Sequence, residues 1–224
     1  MNTVKMVVFD MAGTTVNENN VVYKTLHKAI NEAGFSVSLQ EVLTEGAGKE
    51  KLQAVKSILR EYAHTNDDEV ANDIHEKFLV LLEEAYENLD ISPQPGAEEL
   101  FKALKERKII NVLNTGYNRK TALSITNKLG WKEGTDFDCL VTATDVGQNR
   151  PSPDMIFFAM KQFHITDAST VVKVGDSIID IEEGKNAGCG LNIGITTGAH
   201  SREQLASANP DAIINDLMEL LPLI

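Results

Sequence analysis

Carboxylates stand at two places where short hydrophobic runs of the sequence end. Asp10 follows the run 4–9, and Asp176 follows the run 171–174 after one glycine. Asp180 comes one helical turn after Asp176, on the same face of the helix expected there. Ligands of open α/β sheets bind at the carboxyl ends of the strands, and hard carboxylate oxygens favour Mg²⁺. The pattern is typical of a magnesium site, although a turn-capping aspartate and a helix N-cap explain each acid taken alone.

Two further groups suited to an anionic ligand also follow hydrophobic runs. Thr115 and Gly116 come just after the run 109–113, with a hydroxyl and a flexible turn whose backbone N–H groups can contact a phosphate oxygen. Arg150 lies in a loop stiffened by two prolines and can neutralise charge on a transferring phosphoryl group. On its own, the first feature is equally a glycine turn with a capping threonine, and the second is equally a surface arginine.

The elements that must position these groups are strands alternating with amphipathic helices. The strands are near-continuous apolar runs, as expected for strands buried on both faces of a sheet. They fall at 4–9, 109–113, 140–142, 171–174, 191–195 and, more weakly, 212–214. Helical patterns separate most of them, so the C-terminal two-thirds of the chain is predicted to form βαβ units on a parallel sheet.

The first crossover breaks this rhythm, because about 100 residues with almost no strand signal separate the first two strands. This segment carries three helical apolar stripes. They consist of Val22, Leu26, Ile30 and Ala33; of Leu52, Val55, Leu59 and Tyr62; and of Phe78, Leu81, Leu82, Ala85 and Leu89. We therefore predict an α/β fold with a Rossmann-like parallel-sheet core, residues 1–16 and 93–224, and a helical cap inserted after the first strand, residues 17–92.

Composition excludes some classes of function. The 224 residues carry a net charge of −12, which argues against a nucleic-acid or anionic-membrane surface because no broad basic surface is available. No apolar run approaches the roughly 20 residues of a membrane helix, and the first residues show no signal-peptide pattern. We expect a cytoplasmic protein that acts on a small substrate, and the sequence leaves its oligomeric state open.

In chain order, the groups at Asp10, Thr115, Arg150 and the pair Asp176 and Asp180 resemble the four motifs of the haloacid dehalogenase superfamily. The helical insert is similar to the mobile cap of that superfamily. The resemblance implies a Mg²⁺-dependent hydrolase in which Asp10 attacks phosphorus to form an aspartyl-phosphate that water then hydrolyses. The roles it implies are metal ligands at Asp10, Ala12 (through its backbone carbonyl), Asp176 and Asp180, and phosphoryl binding by Thr115 and Arg150.

One position departs from the ordinary phosphatases of this superfamily, which carry a second aspartate two residues after the nucleophile as an acid and base. Here that position is Ala12, and the stretch 10–15 (DMAGTT) resembles phosphonoacetaldehyde hydrolase, or phosphonatase, and its relatives. The resemblance implies a cap lysine that forms an imine with an aldehyde, so that the C–P bond breaks with carbon leaving as an enamine. The matching lysine is Lys51, and the implied substrate contacts are Ala12, Gly116, Tyr117 and Lys51.

The match to phosphonatase is incomplete. The methionine and the histidine that flank the lysine there are replaced by Ala47 and Ala54, so the chain resembles a phosphonatase-like sister group. Lys51 could form the imine, contact the substrate only electrostatically, or lie on the surface. His200 follows a strand and is a candidate proton carrier, but a solvent-facing loop histidine is the expectation.

Three functions therefore remain open. The leading hypothesis is a hydrolase that cleaves a small phosphonate through Asp10 and a Schiff base at Lys51. The second is a phosphomonoester phosphatase that works without the usual second aspartate. The third is a non-catalytic metabolite-binding module, which is disfavoured because three converging carboxylates repel one another unless a cation is bound.

Overall fold

A parallel sheet organises the chain, which is described by a computed structural model at residues 3–88 and 91–224. Its strands are β1 (Met6–Asp10), β2 (Val16–Asn17), β3 (Ser92–Pro93), β4 (Ile110–Thr115), β5 (Cys139–Thr142), β6 (Val171–Gly175), β7 (Leu191–Ile195) and β8 (Ala212–Ile214). Six of these described strands form one sheet in the order β5-β4-β1-β6-β7-β8, with all neighbours parallel. The predicted α/β fold with a Rossmann-like parallel sheet is confirmed.

Helices fill the connections between the strands. In the described residues they are α1 (Val21–Glu32), α2 (Leu39–Gly46), α3 (Lys51–Tyr62), α4 (Asp68–Asn88), α5 (Ala97–Glu106), α6 (Arg119–Leu129), α7 (Asp154–Gln162), α8 (Ile178–Ala187) and α9 (Arg202–Ser207). None of these helices combines the length and the hydrophobicity needed to cross a membrane.

The central strand β1 shows why the apolar runs form buried strands. All five of its residues are buried. Val7 and Phe9 belong to one hydrophobic cluster, whereas Met6 and Val8 belong to a second cluster that contains the apolar face of α7. Because side chains alternate along a strand, both faces of β1 are covered, and a continuous apolar run is required there.

Helices α1 to α4 lie between β1 and the rest of the sheet in sequence and pack on one another. The antiparallel pair of β2 with β3 brings the two ends of this segment together, with Val16 opposite Pro93. This arrangement agrees with an inserted cap, and the division at 17–92 remains a prediction. We refer to residues 17–92 as the cap and to the remainder as the core.

Details of the cap differ from the expected stripes. Helix α2 was not among them, because only Val42 and Gly46 of its eight residues are buried. The sequence feature that marks the start of α2 is the capping box formed by Ser38 and Glu41, which satisfies free N–H groups at the start of the helix. Ala33 is exposed and caps the end of α1 instead of completing its stripe. Leu89 lies outside the described residues.

Two strands begin later than expected. The first starts at Met6, not Val4, because only from Met6 onward is every residue of it buried. The second starts at Ile110, because the N–H of Ile109 donates to the carbonyl of Leu104 and so belongs to the end of α5.

Candidate active site

Three carboxylates meet at the carboxyl end of the sheet. Asp10 is the last residue of β1, Asp176 follows β6, and Asp180 lies in the first turn of α8, whose N-cap is Ser177. All three are buried, and each offers an oxygen within 4.8 Å of an oxygen of the other two. The register of the parallel strands thus brings together residues that are 166 positions apart in the sequence, Asp10 and Asp176.

The three carboxylates differ in how their charge is balanced. Burial raises the pKa of Asp10, and the negative charge of Asp180 adds to this rise while Arg150 opposes it. Burial, together with the charges of Asp10 and Asp180, holds the pKa of Asp176 well above its ordinary value. Burial also acts to raise the pKa of Asp180, but Arg150 and Lys173 outweigh it, so that pKa is lowered. Asp10 and Asp176 are therefore the two carboxylates whose ionised forms their surroundings stabilise least.

The backbone around Asp176 leaves room for small groups only. One Asp176 oxygen, Oδ2, accepts a hydrogen bond from the N–H of Ala199 at 2.6 Å, and the hydroxyl of Thr14 donates to Oδ1 at 3.5 Å. Gly13 has a φ of +84°, and a Cβ at this position would lie 2.5 Å from Asp176 Oδ2. Only glycine fits this turn, which directly follows Ala12 in the chain.

The donor set fits Mg²⁺. Buried, closely spaced carboxylate oxygens with excess negative charge are the hard ligands that this ion prefers, and a bound cation would relieve the repulsion between Asp10 and Asp176. Asp180 is less suited as a direct ligand, because one of its oxygens already lies 3.0 Å from Arg150 and 2.9 Å from Lys173.

Arg150 occupies the centre of the site and is only 1% exposed, so the surface alternative is wrong. Its Nη1 donates to Asp10 Oδ1 at 2.7 Å, and its Nε donates to Glu183 Oε2 at 3.0 Å. Its Nη2 donates to the backbone carbonyl and to the side-chain oxygen of Asn114. The planar guanidinium thus holds one oxygen of Asp10 in place and leaves the other oxygen available.

Two members of this ionic network carried no predicted role. Lys173 lies in the middle of β6, with its Nζ 2.9 Å from Asp180 and 3.3 Å from Glu183. Both residues are completely buried, so neither charge has solvent to screen it. Two features of the sequence could have indicated these roles. One is a lysine inside an otherwise apolar strand run, and the other is a glutamate three residues after Asp180.

The turn after β4 joins the core to the cap. The hydroxyl of Thr115 is buried and accepts the N–H of Tyr117 at 3.2 Å. A Cβ on Gly116 would lie 2.8 Å from the backbone oxygen of Lys49, so the cap backbone passes directly over this turn. The ring of Tyr117 is buried beneath the cap.

Lys51 projects into this same buried region as the first residue of α3, and its 7% exposure excludes the surface alternative. Its Nζ donates to the carbonyl of Lys49 at 2.9 Å and lies 5.2 Å and 5.5 Å from the ring centroids of Tyr23 and Tyr117. Burial lowers the pKa of Lys51, while the charges of Asp10 and Glu18 oppose this change. The side chain of Lys49 instead pairs with Glu45 at 2.5 Å.

A cluster of Glu18, Tyr86 and Tyr117 borders Lys51 and was not anticipated. Both tyrosine hydroxyls donate to Glu18 Oε2, that of Tyr117 at 3.0 Å, and the two hydroxyls lie 3.0 Å apart. The three residues come from before α1, from α4 and from the turn after β4. Neither their spacing nor their residue types in the sequence indicates that they meet.

His200 corrects an expectation, because it is 3% exposed and not a solvent-facing histidine. Its loop folds back over Asp176, and its backbone N–H donates to the Asp176 carbonyl at 3.2 Å. Its Nδ1 accepts the N–H of Ile178 at 3.0 Å, which leaves Nε2 to donate to the Leu43 carbonyl of the cap at 3.2 Å. His200 therefore links the core to the cap.

The family model for haloacid dehalogenase-like hydrolases matches residues 7–195. The chain belongs to this family, and it is a hydrolase whose site combines a strand-end aspartate, a buried arginine and an acidic pair. Membership of a hydrolase family removes the support for a non-catalytic binding module.

The relatives include phosphonoacetaldehyde hydrolases, in agreement with the expected resemblance to the phosphonatase-like group. The chain is 31% identical over 206 residues to the phosphonoacetaldehyde hydrolase of Latilactobacillus sakei, covering 87% of this chain and 76% of that protein. A phosphonoacetaldehyde hydrolase-like protein from Oleispira antarctica has the same fold, with a TM-score of 0.84, 20% identity and coverage of 99% and 91%. A "predicted phosphoglycolate phosphatase" from Haemophilus somnus 129pt matches with a TM-score of 0.80, 22% identity and coverage of 100% and 99%.

Proposed function

We propose that the protein is a Mg²⁺-dependent hydrolase that cleaves the C–P bond of a small phosphonate aldehyde, with Asp10 as the nucleophile and Lys51 as the imine-forming amine. One observation carries the proposal: the buried amine of the cap residue Lys51 lies 5.5 Å from the ring centroid of Tyr117, in the turn after β4, the strand that pairs with β1 at Asp10. The relative from Latilactobacillus sakei is named for hydrolysis of such a substrate, which supports the same class here.

The metal would be held by Asp10, by Asp176 and by the backbone carbonyl of Ala12, with Asp180 orienting the site through Arg150. When bound, Mg²⁺ would neutralise charge on the phosphoryl group and on the nucleophile. We expect Mg²⁺ to raise the melting temperature of the wild-type protein, because a ligand that binds only the folded state stabilises it. Asp176→Asn should lose this rise, and an unchanged rise in that variant would contradict the assignment.

Phosphoryl transfer would use the groups already paired around Asp10. Arg150 holds Asp10 Oδ1 at 2.7 Å, so the other carboxylate oxygen is oriented to attack phosphorus. The turn at Thr115 and Gly116, together with Arg150, would contact the phosphoryl oxygens. Water would then hydrolyse the aspartyl-phosphate and release inorganic phosphate.

Cleavage of a C–P bond requires a sink for the electrons left on carbon. Lys51 would supply it by forming an iminium ion with the aldehyde, so that the C–P electron pair moves into an enamine. A neutral amine is needed for attack, and burial of Lys51 favours the neutral form. This route needs no acid at Ala12, because the leaving carbon is stabilised by the enamine and not by protonation of a leaving oxygen.

The test is phosphate release from phosphonoacetaldehyde in the presence of Mg²⁺, measured for wild type and Lys51→Arg. We expect release by the wild type and a loss of at least about 100-fold in the variant, since arginine keeps the charge but cannot form the imine. Lys56→Arg is the matched control, because Lys56 lies on the same helix with a side chain that is 41% exposed and paired with Asp68. Equal release by wild type and Lys51→Arg would refute the imine.

A second candidate function is phosphomonoester hydrolysis. It is favoured because the carboxylate cluster and Arg150 would form a phosphoryl-binding site that requires no carbonyl group in the substrate. If the wild type hydrolyses p-nitrophenyl phosphate but releases no phosphate from phosphonoacetaldehyde, this function replaces the first. Asp10→Asn should abolish either activity, because both use the same nucleophile.

A further inference from the structure

Imine chemistry at Lys51 needs a group that moves protons. The lysine must lose a proton before its nitrogen attacks, and the hydroxyl of the resulting carbinolamine must gain a proton to leave as water. The two positions at which the resemblance to related enzymes implies such a group hold Ala12 and Ala54, which cannot ionise. His200 is committed on both ring nitrogens, to the Ile178 N–H and the Leu43 carbonyl.

Glu18 is a carboxyl group that the proposed phosphoryl transfer does not use. It is 2% exposed, and its Oε2 accepts hydrogen bonds from Tyr86 and Tyr117. Its Oε1 is buried and accepts no hydrogen bond of normal geometry from the described residues, although the nearby backbone of Val22 acts to lower the pKa of the carboxyl group. Burying a carboxylate oxygen without a good hydrogen bond is unfavourable, so its retention favours a role for that oxygen with another group.

Lys51 and Glu18 share the environment of Tyr117. The Lys51 Nζ lies 5.5 Å from the centroid of the Tyr117 ring, and the hydroxyl of that ring donates to Glu18 at 3.0 Å. Each charge also favours the ionised form of the other group, lowering the pKa of Glu18 and raising that of Lys51. Burial raises the pKa of Glu18 and lowers the pKa of Lys51, which makes proton transfer from the amine to the carboxylate less unfavourable.

We infer that Glu18 is the acid–base group for Lys51, with Oε1 as the oxygen that exchanges protons and with Tyr86 and Tyr117 fixing Oε2. This inference rests on the proposed function. It gives the buried Oε1 a role and supplies the proton carrier that the reaction needs.

The proton steps balance without any other reactant. Glu18 takes a proton from the Lys51 ammonium, and the neutral amine forms an N–C bond as the C=O electron pair moves to oxygen. The proton on the new ammonium nitrogen passes to that oxygen, giving a neutral carbinolamine. Protonated Glu18 then donates to the hydroxyl, which leaves as water as the nitrogen lone pair forms the iminium, and the carboxylate is regenerated.

The experiment measures the rate at which borohydride traps an adduct of Lys51 in the presence of phosphonoacetaldehyde, by mass spectrometry of the intact chain. Glu18→Gln keeps the shape of the side chain and an oxygen that accepts from both tyrosines, but it cannot carry the proton. We expect trapping to slow by about 100-fold or more, the usual size of a general acid–base contribution. Glu18→Asp keeps a carboxyl group and should be intermediate, whereas Glu69→Gln, on the exposed start of α4, should match the wild type.

The outcomes separate this inference from the proposed function. No trapping in the wild type would overturn both, because no imine would form. Trapping in the wild type at the same rate as in Glu18→Gln would overturn the inference and leave the proposed function intact. Equal losses in Glu18→Gln and Glu18→Asp would also overturn it, because only the carboxyl position, and not its proton, would then matter. Partial rescue by aspartate at an unchanged melting temperature supports the inference.

Discussion

At the scale of single residues, Arg150 is the group on which the charge balance of the site depends. It faces three buried carboxylates, Asp10, Asp180 and Glu183, with nitrogen–oxygen distances of 2.7 to 3.0 Å. A buried ion pair adds little to stability in itself, but removing one partner leaves the other charge buried and unpaired. The arginine is therefore a structural requirement as well as a proposed phosphoryl ligand.

Replacing Arg150 with alanine should lower the free energy of unfolding by about 3–5 kcal/mol, because it leaves buried carboxylates uncompensated. Urea denaturation without added metal measures this change. Arg60→Ala is the control, since Arg60 is exposed on α3 and its loss should cost no more than about 0.5 kcal/mol. A loss below about 1 kcal/mol for Arg150→Ala would contradict the charge balance described here.

Lys51 leads to a prediction of pH dependence. Burial disfavours its charged form, so its pKa lies below the usual 10.5, although Asp10, Glu18 and Glu50 oppose the shift. Because the neutral amine would attack the aldehyde in the proposed reaction, phosphonate turnover should rise with pH through this lowered pKa and level off above it. A pH–rate profile of phosphate release measures this rising limb, and the profile of p-nitrophenyl phosphate hydrolysis should lack it. The same limb with both substrates would assign the titration to another group.

The site residues that could be predicted from the sequence are those next to strand ends or in the proline-flanked loop. Asp10, Arg150 and Asp176 stand next to strong local signals, an apolar strand run or a proline-flanked loop, so their placement follows from local pattern and sheet geometry. Glu18 and Tyr86 lie 68 positions apart and meet because α1 and α4 pack against each other within the cap. No local sequence pattern encodes that contact. The expectation that His200 faces solvent was wrong for the same reason, because its burial depends on a contact with Leu43 far away in the sequence.

At the scale of elements, the start of α3 touches the start of α8, and this contact holds the cap against the site. Gly48 has a φ of +75°, and a Cβ on it would collide with the hydroxyl oxygen of Ser177 and lie 3.1 Å from Ile179. Its carbonyl also accepts from Arg150 at 3.4 Å. The glycine is required both by its backbone angle and by this close approach.

Gly48→Ala should therefore lower turnover by about 10-fold or more, since the added methyl group pushes the cap, and Lys51 with it, away from the core. Gly130→Ala is a matched control, because Gly130 has a φ of +73° but nothing lies within 4 Å of its Cβ position. Both variants should lose about 1–2 kcal/mol from the left-handed backbone. Thermal melting and steady-state rates separate the two effects, and equal rates in the two variants would show that the contact is not needed.

Secondary structure was predictable where an element buries a long stripe or a continuous run. The sheet strands and the helices of 12 or more residues in the cap meet this condition. Helix α2 does not, because its short turn buries two residues and depends on neighbouring helices for the rest of its stability. Short elements held by tertiary contacts are those that the hydrophobic pattern could not reveal.

At the scale of the whole molecule, the described arrangement is one in which the cap covers the site. Lys51, Gly48 and Leu43 of the cap all contact or approach groups of the core, and Lys51 and Arg150 are almost fully buried. Because these contacts cover Asp10, the proposed nucleophile, we predict that the cap moves away from the core during turnover. The short ribbon of β2 and β3 is the place where this motion can pivot.

A reversible cross-link tests this motion. Lys120 of the core and Glu83 of the cap form an exposed ion pair at 2.7 Å. Cysteines at both positions can therefore be joined by a short bifunctional thiol-reactive reagent whose disulfide links can be reduced. We expect the joined protein to lose turnover with phosphonoacetaldehyde or p-nitrophenyl phosphate and to regain it on reduction. Each single-cysteine variant, treated alike, should stay active and so controls for labelling of Cys139 and Cys189, the native free thiols. Undiminished turnover of the joined protein would mean that the substrate reaches Asp10 without opening of the cap, and the access route would then have to lie within the core.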